Sequence, residues 1–568
     1  MALEKLYTPA GEALPDTPWQ AYPRPQLKRE SYLNLNGEWE FTALPESLAR
    51  ELPVGYDRKI LVPFCPESPL SGIQAHHGED EHLFYRRAFT LPEGFRRGRV
   101  LLHFGAVDQY AEVYVNGKQV GSHLGGYEHF SFDITDCLQT ENTLEVHCTD
   151  DLRSRVQPYG KQTLKRGGMW YTPVSGIWQT VWLESVPEVY VNELDIRVTL
   201  REATITIKPA LSGTVTCEGK HYPLENGVAV ITPETVVHWT PETPHLYPFT
   251  VEAGTDSFES YFALRTLEVR KVGDYPRLCL NGAPYYFHGL LDQGYWPDGL
   301  FTPASPQCYA DDILAMKALG FNMLRKHIKV EPDRFYYDCD RLGMVVFQDM
   351  VNNGDYSFLR DTVYPTFLSQ FMDDRKLHRD EKTREAFLRA MEATVRQLKN
   401  HPCICCWTIF NEGWGQFDST AAYRRLKGLD DSRFIDSTSG WFRGGETDVE
   451  SLHIYFDMWH RMKPSDKPIV LSEFGGFTYS APRHIFNPDK SYGYGTCKTK
   501  EELTARLEKI YRERVIPAVK KGLCASVYTQ VSDVEDEING LVTYDRRVVK
   551  PDKTTMCRLE EELKKAMP

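Results

Sequence analysis

The chain has 568 residues, a formal net charge of −13, 41% hydrophobic residues and 26% charged residues. That length exceeds what one hydrophobic core supports, and it indicates roughly three or four domains of ordinary soluble composition. The acidic balance argues against bulk binding to nucleic acid or to an anionic membrane surface.

Targeting and redox signals are sparse. No apolar run approaches the ~20 residues of a membrane span, and no basic segment followed by an apolar core marks a signal peptide. The 13 cysteines, an odd number scattered along the chain, predict reduced thiols and a cytoplasmic enzyme. Residues 403–406 hold three of them, but they fall on a predicted strand without a second cluster at zinc spacing, so we predict no metal there.

The first half of the chain has the pattern of β-sandwiches. Residues 1–187 contain short alternating strands separated by turns, as where Asn116-Gly117 follows the strand 111–115. Residues 188–268 continue this pattern over a length that suits one immunoglobulin-like sandwich, for which we predict a bracing role. From residue 269 to 568 strands alternate with helices, which predicts a parallel sheet.

Eight strands can be counted in the last region, and eight strands in βα order close a (β/α)8 barrel. Helices are predicted at 311–319 and 383–399. The predicted strands are 285–289, 321–327, 344–349, 404–410, 433–436, 451–455, 469–471 and 524–530.

Two of these strands are apolar up to their ends and then present a carboxylate. Glu412 follows Asn411 after the fourth strand, and Glu473 precedes Phe-Gly-Gly at the seventh. A single glutamate in such a place is commonly a helix cap or an ion-pair partner. Two of them at the catalytic face of one barrel favour glycoside hydrolysis, which needs a pair of carboxyl groups. The sequence alone does not choose between retention and inversion, because their separation decides it.

Residues 411–414 (Asn-Glu-Gly-Trp) and 472–475 (Ser-Glu-Phe-Gly) resemble the acid/base and nucleophile motifs of glycoside hydrolase family 2, which includes β-galactosidases and β-glucuronidases. The similarity runs from residues 33–41 to 539–546. It implies a jelly-roll sugar-binding domain, an immunoglobulin-like sandwich, a catalytic TIM barrel and a retaining mechanism. On this resemblance Glu412 is the acid/base, Glu473 is the nucleophile and Asn411 bonds the sugar 2-hydroxyl.

The resemblance implies further substrate contacts. Tyr455 matches a tyrosine beside the nucleophile, Arg325 would orient Glu473, and His327 would meet a sugar hydroxyl. Tyr528 falls where relatives usually place a tryptophan under the sugar. Tyr455 as an ordinary core residue and Arg325 as a strand-end ion pair are the alternatives.

Asp292 and Trp296 follow the first barrel strand, where they would line the outer pocket or simply form a turn. The loop 167–178 resembles the one that the jelly roll contributes to the active-site rim in relatives. β-Galactosidases carry an Asp where this chain has Gly168, so the matching sugar contact is missing.

The identity of the sugar depends on charge. The Asn-x-Lys pair that β-glucuronidases use for the substrate carboxylate has no lysine counterpart in residues 533–540. Burying an unpaired carboxylate is costly, so a uronidase needs a cation within reach. Lys326, Lys329, Arg483 and Lys490 are candidates beside Arg325, the last two in a long insert at 478–499. They favour a β-galacturonide over a β-galactoside or β-glucuronide, unless they only pair with nearby acids.

We therefore predict a retaining exo-β-glycosidase acting on a small glycoside or oligosaccharide. The residues near Gln348 and Asp349 do not match the magnesium ligands of some β-galactosidases, so no metal or other cofactor is predicted. We expect no nucleic-acid or membrane partner, and assembly into a homo-oligomer is compatible with the sequence. An inactive sugar-binding protein is the alternative of another class.

Overall fold

The computed structural model describes residues 3–49, 51–442, 445–456 and 458–568. Three groups of sheets follow one another along the chain. Two are antiparallel sandwiches with their own apolar interiors, and the third is a parallel barrel whose hydrophobic core also takes in residues of the first sandwich. The predicted fold class is confirmed.

The first sandwich consists of a four-stranded, a six-stranded and a two-stranded sheet. Strand Asn142–Thr149 shows why these segments form strands, because every second residue is buried. Its strands are Tyr32–Asn34, Gly37–Pro45, Arg58–Val62, Glu81–Phe89, Arg99–Phe104, Val107–Asp108, Tyr110–Val115, Lys118–Leu124, Phe130–Asp133, Asn142–Thr149, Gly176–Ile177 and Val181–Val186.

The second sandwich pairs a three-stranded sheet with a four-stranded sheet. Its strands are Glu193–Val198, Ala203–Lys208, Gly213–Cys217, Lys220–Leu224, Val228–Ile231, Tyr247–Ala253 and Asp256–Phe262. A small sheet of Leu267–Val272, Tyr275–Leu280 and Ala283–Pro284 leads into the barrel. The division into domains at 187/188 and 268/269 stays a prediction.

The barrel sheet has eight parallel strands. They are β1 (Phe287–Asp292), β2 (Met323–Lys326), β3 (Val345–Asp349), β4 (Ile404–Asn411), β5 (Phe434–Ser439), β6 (Glu450–Ile454), β7 (Ile469–Phe474) and β8 (Leu523–Tyr528). Nearly every residue of these strands is buried, because the barrel interior covers one face and the outer elements cover the other. Their parallel order brings all eight carboxyl ends to one mouth.

The barrel is nearly closed. Hydrogen-bonded neighbours run in the order β5-β4-β3-β2-β1-β8-β7-β6, and among the described residues no ladder joins β5 to β6. Asp448 spans this seam instead. Its backbone N–H donates to Ile435 O at 2.9 Å and its carboxylate accepts from Ile435 N–H at 2.9 Å.

The helices surround the barrel. Glu381–Leu398 begins at the cap Asp380 and buries Phe387, Met391 and Val395 along one face. The α-helices are Pro9–Glu12, Gln307–Ala318, Asp333–Leu342, Tyr364–Leu368, Glu381–Leu398, Ser419–Leu429, Lys500–Ile510, Ile516–Val519 and Lys553–Ala566. Within the described residues, the connections β5–β6 and β6–β7 contain no α-helix, so the predicted alternation is incomplete there.

Three predictions about the chain as a whole can be compared with this structure. In the described part of the chain, no helix is both long and apolar enough to cross a membrane. All 13 cysteines are free, as predicted. The insert at 478–499 contributes two short strands, Thr478–Tyr479 and Thr496–Cys497, which pair with each other.

Candidate active site

Glu412 is the first residue beyond β4. Its backbone has φ of +53°, an uncommon left-handed conformation, and its N–H donates to Ser439 O on β5 at 2.9 Å. The side chain keeps 16% of its surface exposed. The end of the strand therefore turns this carboxylate into the mouth of the barrel, where solvent and substrate have access.

Glu473 is the second-last residue of β7 and is buried. Its Oε1 accepts from Arg325 Nη1 at 3.0 Å, and its Oε2 accepts from the Tyr455 hydroxyl. Burial acts to raise the pKa of this carboxyl, but the nearby His453 and Arg325 outweigh burial and lower the pKa to about 2. Glu473 is therefore ionised at neutral pH.

Arg325 lies on β2 with its side chain inside the barrel, and it bonds both Glu473 and Asn411, the residue before Glu412. Its Nε donates to Asp349 Oδ1 at 2.9 Å and its Nη2 donates to Asn411 Oδ1 at 2.8 Å. Asp349 also lies 2.6 Å from His327 Nδ1 through its other oxygen. Because all four side chains are buried, this network fixes their orientation before a substrate arrives.

His453, on β6, lies between the two glutamates and was not among the predicted site residues. Its Nδ1 is 2.7 Å from Glu412 Oε1 and 3.5 Å from Glu473 Oε2. The signal that identifies it is its spacing, because it precedes Tyr455 by two residues and so shares a strand face with it.

Glu412, His453 and Glu473 each place one polar atom within 4.8 Å of the others. Among the described residues this is the one group whose spacing suits a metal ion. Arg325 and Tyr455 already occupy both oxygens of Glu473.

The insert at 478–499 contacts Tyr455, the tyrosine that bonds the nucleophile. Tyr494 stacks on Tyr455 with ring centroids 3.8 Å apart, and its hydroxyl lies 3.3 Å from that of Tyr492. Tyr492 also donates its backbone N–H to Asp536 O at 2.7 Å, which ties the insert to the loop after β8. The insert therefore forms one wall of the mouth.

The first sandwich supplies another wall. Arg166 Nη1 bonds Asp536 Oδ1 at 2.8 Å, and a Cβ on Gly168 would lie 3.5 Å from the Tyr492 ring. Trp170 meets Trp414, two residues after Glu412, edge to face at 5.1 Å between centroids. This places the predicted rim loop beside both the insert and the acid/base.

Lys161, on the same sandwich, is a half-buried cation near the nucleophile. Burial raises the pKa of Glu473, and Lys161 helps to lower it, with a smaller effect than His453, Arg325 and His327 have. Lys161 also acts on Glu537, whose pKa burial raises against the opposing effect of Lys161. In the described part of the chain its ammonium is in no hydrogen bond or ion pair. Lys161 was not among the predicted site residues.

Three predicted residues lie outside this group. Lys326 is fully buried, with Nζ 2.7 Å from Asp292 and 2.9 Å from Glu331, on the opposite side of β2 from Arg325. Trp296 is buried, and the Arg546 guanidinium carbon lies over it, 3.9 Å from the centroid of the indole ring. Lys326, Asp292 and Trp296 together line a small internal cavity behind the rim.

Tyr528 lies in the barrel wall. Its ring is fully buried, a Cβ on Gly475 would lie 2.3 Å from it, and its hydroxyl accepts from Phe477 N–H at 3.0 Å. Tyr528 therefore holds in place the segment that follows β7, the strand on which Glu473 lies.

The other predicted cations are also placed. Lys329 Nζ is satisfied by Glu331 at 2.9 Å and by the Gly294 and Phe301 carbonyls. Arg483 and Lys490 are exposed on the insert.

An ionised carboxylate and a solvent-accessible carboxyl group, facing each other at the mouth of a TIM barrel, define a glycoside hydrolase. The sequence model "Glycosyl hydrolases family 2, TIM barrel domain" matches residues 272–483. "Glycosyl hydrolase 2 galactose-binding domain-like" matches residues 68–169. Together they cover more than half of the chain. The protein belongs to glycosyl hydrolase family 2.

Among its relatives is a "Beta-galactosidase" of Thermoanaerobacter pseudethanolicus, 26% identical over 510 residues, which covers 81% of this chain and 62% of that protein. A "Beta-glucuronidase" structure from an uncultured Clostridium has a TM-score of 0.73 at 19% identity and covers 95% of this chain and 99% of that one. A "GH2 beta-galacturonidase" of Eisenbergiella tayi has a TM-score of 0.67 at 19% identity, covering 96% and 99%. At such identity these structures show the fold alone.

Proposed function

We propose that the protein is a retaining exo-β-glycosidase that releases terminal non-reducing sugars. The observation that carries this proposal is the short separation of the two carboxyl groups, which place an oxygen each within 4.8 Å. Retaining enzymes hold their carboxyl groups about 5–5.5 Å apart, whereas inverting enzymes leave room for a water at about 6.5–9.5 Å. The spacing therefore supports direct attack by one carboxylate.

In the first step Glu473 attacks the anomeric carbon while Glu412 gives its proton to the glycosidic oxygen. The bond from carbon to oxygen breaks, the aglycone leaves as an alcohol and an ester joins the sugar to Glu473. The low pKa of Glu473 supplies the anion for this attack. Tyr455 and Arg325 hold that anion in position, and Asn411 lies within the same network.

In the second step Glu412, now ionised, takes a proton from water. The oxygen of that water attacks the anomeric carbon, the ester breaks and Glu473 leaves as a carboxylate. Both steps invert the carbon, so the product keeps the β-configuration. The partial exposure of Glu412 supports this role, since the water must reach it.

The test is a panel of nitrophenyl β-glycosides, with the first-formed anomer followed by proton NMR. We expect turnover of at least one galactose-configured or glucose-configured substrate and a β-anomer as first product. An α-anomer would refute retention. If the protein bound sugars but turned over none of the substrates, the inactive sugar-binding protein would be favoured.

The sugar itself is proposed from charge. The lysines around the end of β2 are paired with Glu331 and give no support to an acidic sugar. Lys161 does, because it is a half-buried cation near enough to the nucleophile to help lower its pKa, and its ammonium lacks a partner among the described residues. We propose a β-galacturonide, whose carboxylate Lys161 would pair, ahead of a β-galactoside or a β-glucuronide.

The comparison of kcat/KM for nitrophenyl β-galacturonide and β-galactoside decides this point. We expect a uronide preference of about tenfold or more, equal to about 1.4 kcal/mol, that is lost in Lys161→Gln. Lys490→Gln, on the exposed part of the insert, is the matched control and should keep it. A preference for the neutral sugar would refute the acidic substrate and leave the catalytic roles unchanged.

A further inference from the structure

His453 contacts both catalytic glutamates and Arg325. Its Nδ1 faces Glu412 Oε1 at 2.7 Å and Glu473 Oε2 at 3.5 Å. Its Nε2 lies 3.0 Å from Ser439 Oγ and 3.4 Å from Arg325 Nη1. The side chain is fully buried. None of the reaction steps derived above uses this imidazole.

The two glutamates depend on His453 to different degrees. Glu473 is also held by Arg325 and by Tyr455. For the Glu412 carboxylate, His453 is the single hydrogen-bond partner within the described residues. Glu412 is also the more exposed of the two. Without this bond its side chain would be free to sample several rotamers.

The imidazole ring is itself fixed. Gly440, at φ of +102°, leaves room for it, because a Cβ there would lie 2.9 Å from His453 Nδ1. The Trp441 ring packs against it edge to face at 5.5 Å. Nδ1 faces carboxylate oxygens of both glutamates, which accept hydrogen bonds, so Nδ1 carries a hydrogen. That hydrogen points at Glu412.

We propose that His453 is a positioning residue for the acid/base. Its Nδ1–H holds the Glu412 carboxyl where it reaches the glycosidic oxygen in the first step and water in the second, because proton transfer requires hydrogen-bond reach. This inference rests on the proposed function, and it names a residue on which that function depends.

The test compares His453→Leu, which keeps much of the volume but no donor, with His453→Asn, which restores an N–H near Nδ1. Each is assayed with a dinitrophenyl and an alkyl β-glycoside of the preferred sugar. We expect His453→Leu to lose at least about tenfold more kcat/KM on the alkyl substrate, which needs the acid, than on the activated one. His453→Asn should recover most of that loss. Equal losses on both substrates, or no recovery with asparagine, would overturn the proposal.

Circular dichroism and Tm show whether His453→Leu folds. If it does not, Ser439→Ala removes the partner of Nε2 instead. It should give a smaller loss of the same selectivity, about twofold or more, and an unselective effect would overturn the proposal. Wild-type protein that turns over no glycoside would contradict the proposed function itself. Active wild type with an unaltered His453→Leu would contradict the positioning role alone.

Discussion

Tyr494 lies face to face on Tyr455, 3.8 Å between ring centroids, while the Tyr455 hydroxyl donates to Glu473. The insert at 478–499 is thus two contacts away from the nucleophile. A stacked ring restricts the tyrosine that orients the carboxylate, so a surface insert affects the reacting group.

Tyr494→Ala should therefore lower kcat more than it lowers stability. The hydroxyl of Tyr455 would lose its fixed direction, and we expect a fall in kcat of about tenfold with Tm nearly unchanged. Tyr494→Phe keeps the stacking face and should stay within about twofold. Equal activity of the alanine and phenylalanine variants would show that stacking does not matter.

Glu473→Gln should remove the nucleophile. We expect turnover to fall by several orders of magnitude, because the amide cannot form the ester. Thermal unfolding should show that the fold survives, since Arg325 keeps Asp349 and Asn411 as partners. A variant that retained about a tenth of wild-type activity would be inconsistent with this assignment.

Glu412→Ala should damage substrates according to their leaving groups. Alkyl glycosides need protonation and should lose far more kcat/KM than dinitrophenyl glycosides do. Added azide needs no general base and should speed the second step, giving a β-glycosyl azide. The product is identified by NMR. An α-azide, or the same loss on both substrates, would contradict the acid/base role or retention.

Arg325→Met should change the pH profile. Burial raises the pKa of Glu473, and His453 and Arg325 lower it to about 2, so the wild type keeps an ionised nucleophile down to acidic pH. Since a cation is lost, the acidic limb of kcat/KM should move up by about one pH unit or more. The same depressed pKa means that Glu473 stabilises the fold above its ordinary pKa of about 4.5, and that this stabilisation is lost as pH falls toward 2.

The control for that profile is Arg265→Met. Arg265 is also buried but donates to the Pro402 and Ile404 carbonyls at the opposite end of β4. It should lower stability without moving the limb. If the limb stayed in place with Arg325→Met, the charge of Arg325 would not be what keeps Glu473 ionised.

Glu184→Gln should destabilise the first sandwich. The carboxylate is fully buried and pairs with Arg24 at 2.8 Å and with Arg29 at 3.3 Å. The substitution removes the salt bridge of Arg24, whereas Arg29 keeps Asp256. We expect a loss of about 3–5 kcal/mol in the urea-induced transition of this sandwich. Glu259→Gln breaks an exposed pair with Lys28 and should cost under about 1 kcal/mol. Similar losses would mean that burial of the pair is unimportant.

Periodicity and composition were enough to predict the order of the elements. All eight barrel strands overlap their predicted positions, because a fully buried strand is apolar along its length. Their ends differ by at most three residues, and Glu473 falls inside β7 rather than after it. Apolar runs do not show where a hydrogen-bond ladder stops.

Within the site, the predicted group of Arg325, Asn411, Tyr455 and the glutamates lies together. Lys326 does not join it, because neighbouring strand residues face opposite sides and Arg325 takes the interior. The same alternation would have included His453. The loop residue Trp296 and the cation Lys161 could not be placed, since loops and packing between domains carry no periodic signal.

The seam between β5 and β6, which has no hydrogen-bonded ladder among the described residues, has a consequence for the two catalytic carboxylates. Glu412 follows β4, which neighbours the edge strand β5, and Glu473 lies on β7, which neighbours the edge strand β6. Around the wall their strands are connected by hydrogen-bonded ladders, whereas across the seam His453 lies between the two carboxylates and Asp448 bonds the amino end of β5. Across the seam, the separation of the two carboxylates therefore depends on side-chain contacts and not on a backbone ladder. Substitution of His453 would therefore remove the side chain that bridges this seam at the mouth, whereas substitution of Asp448 would loosen the seam only at the amino end of β5.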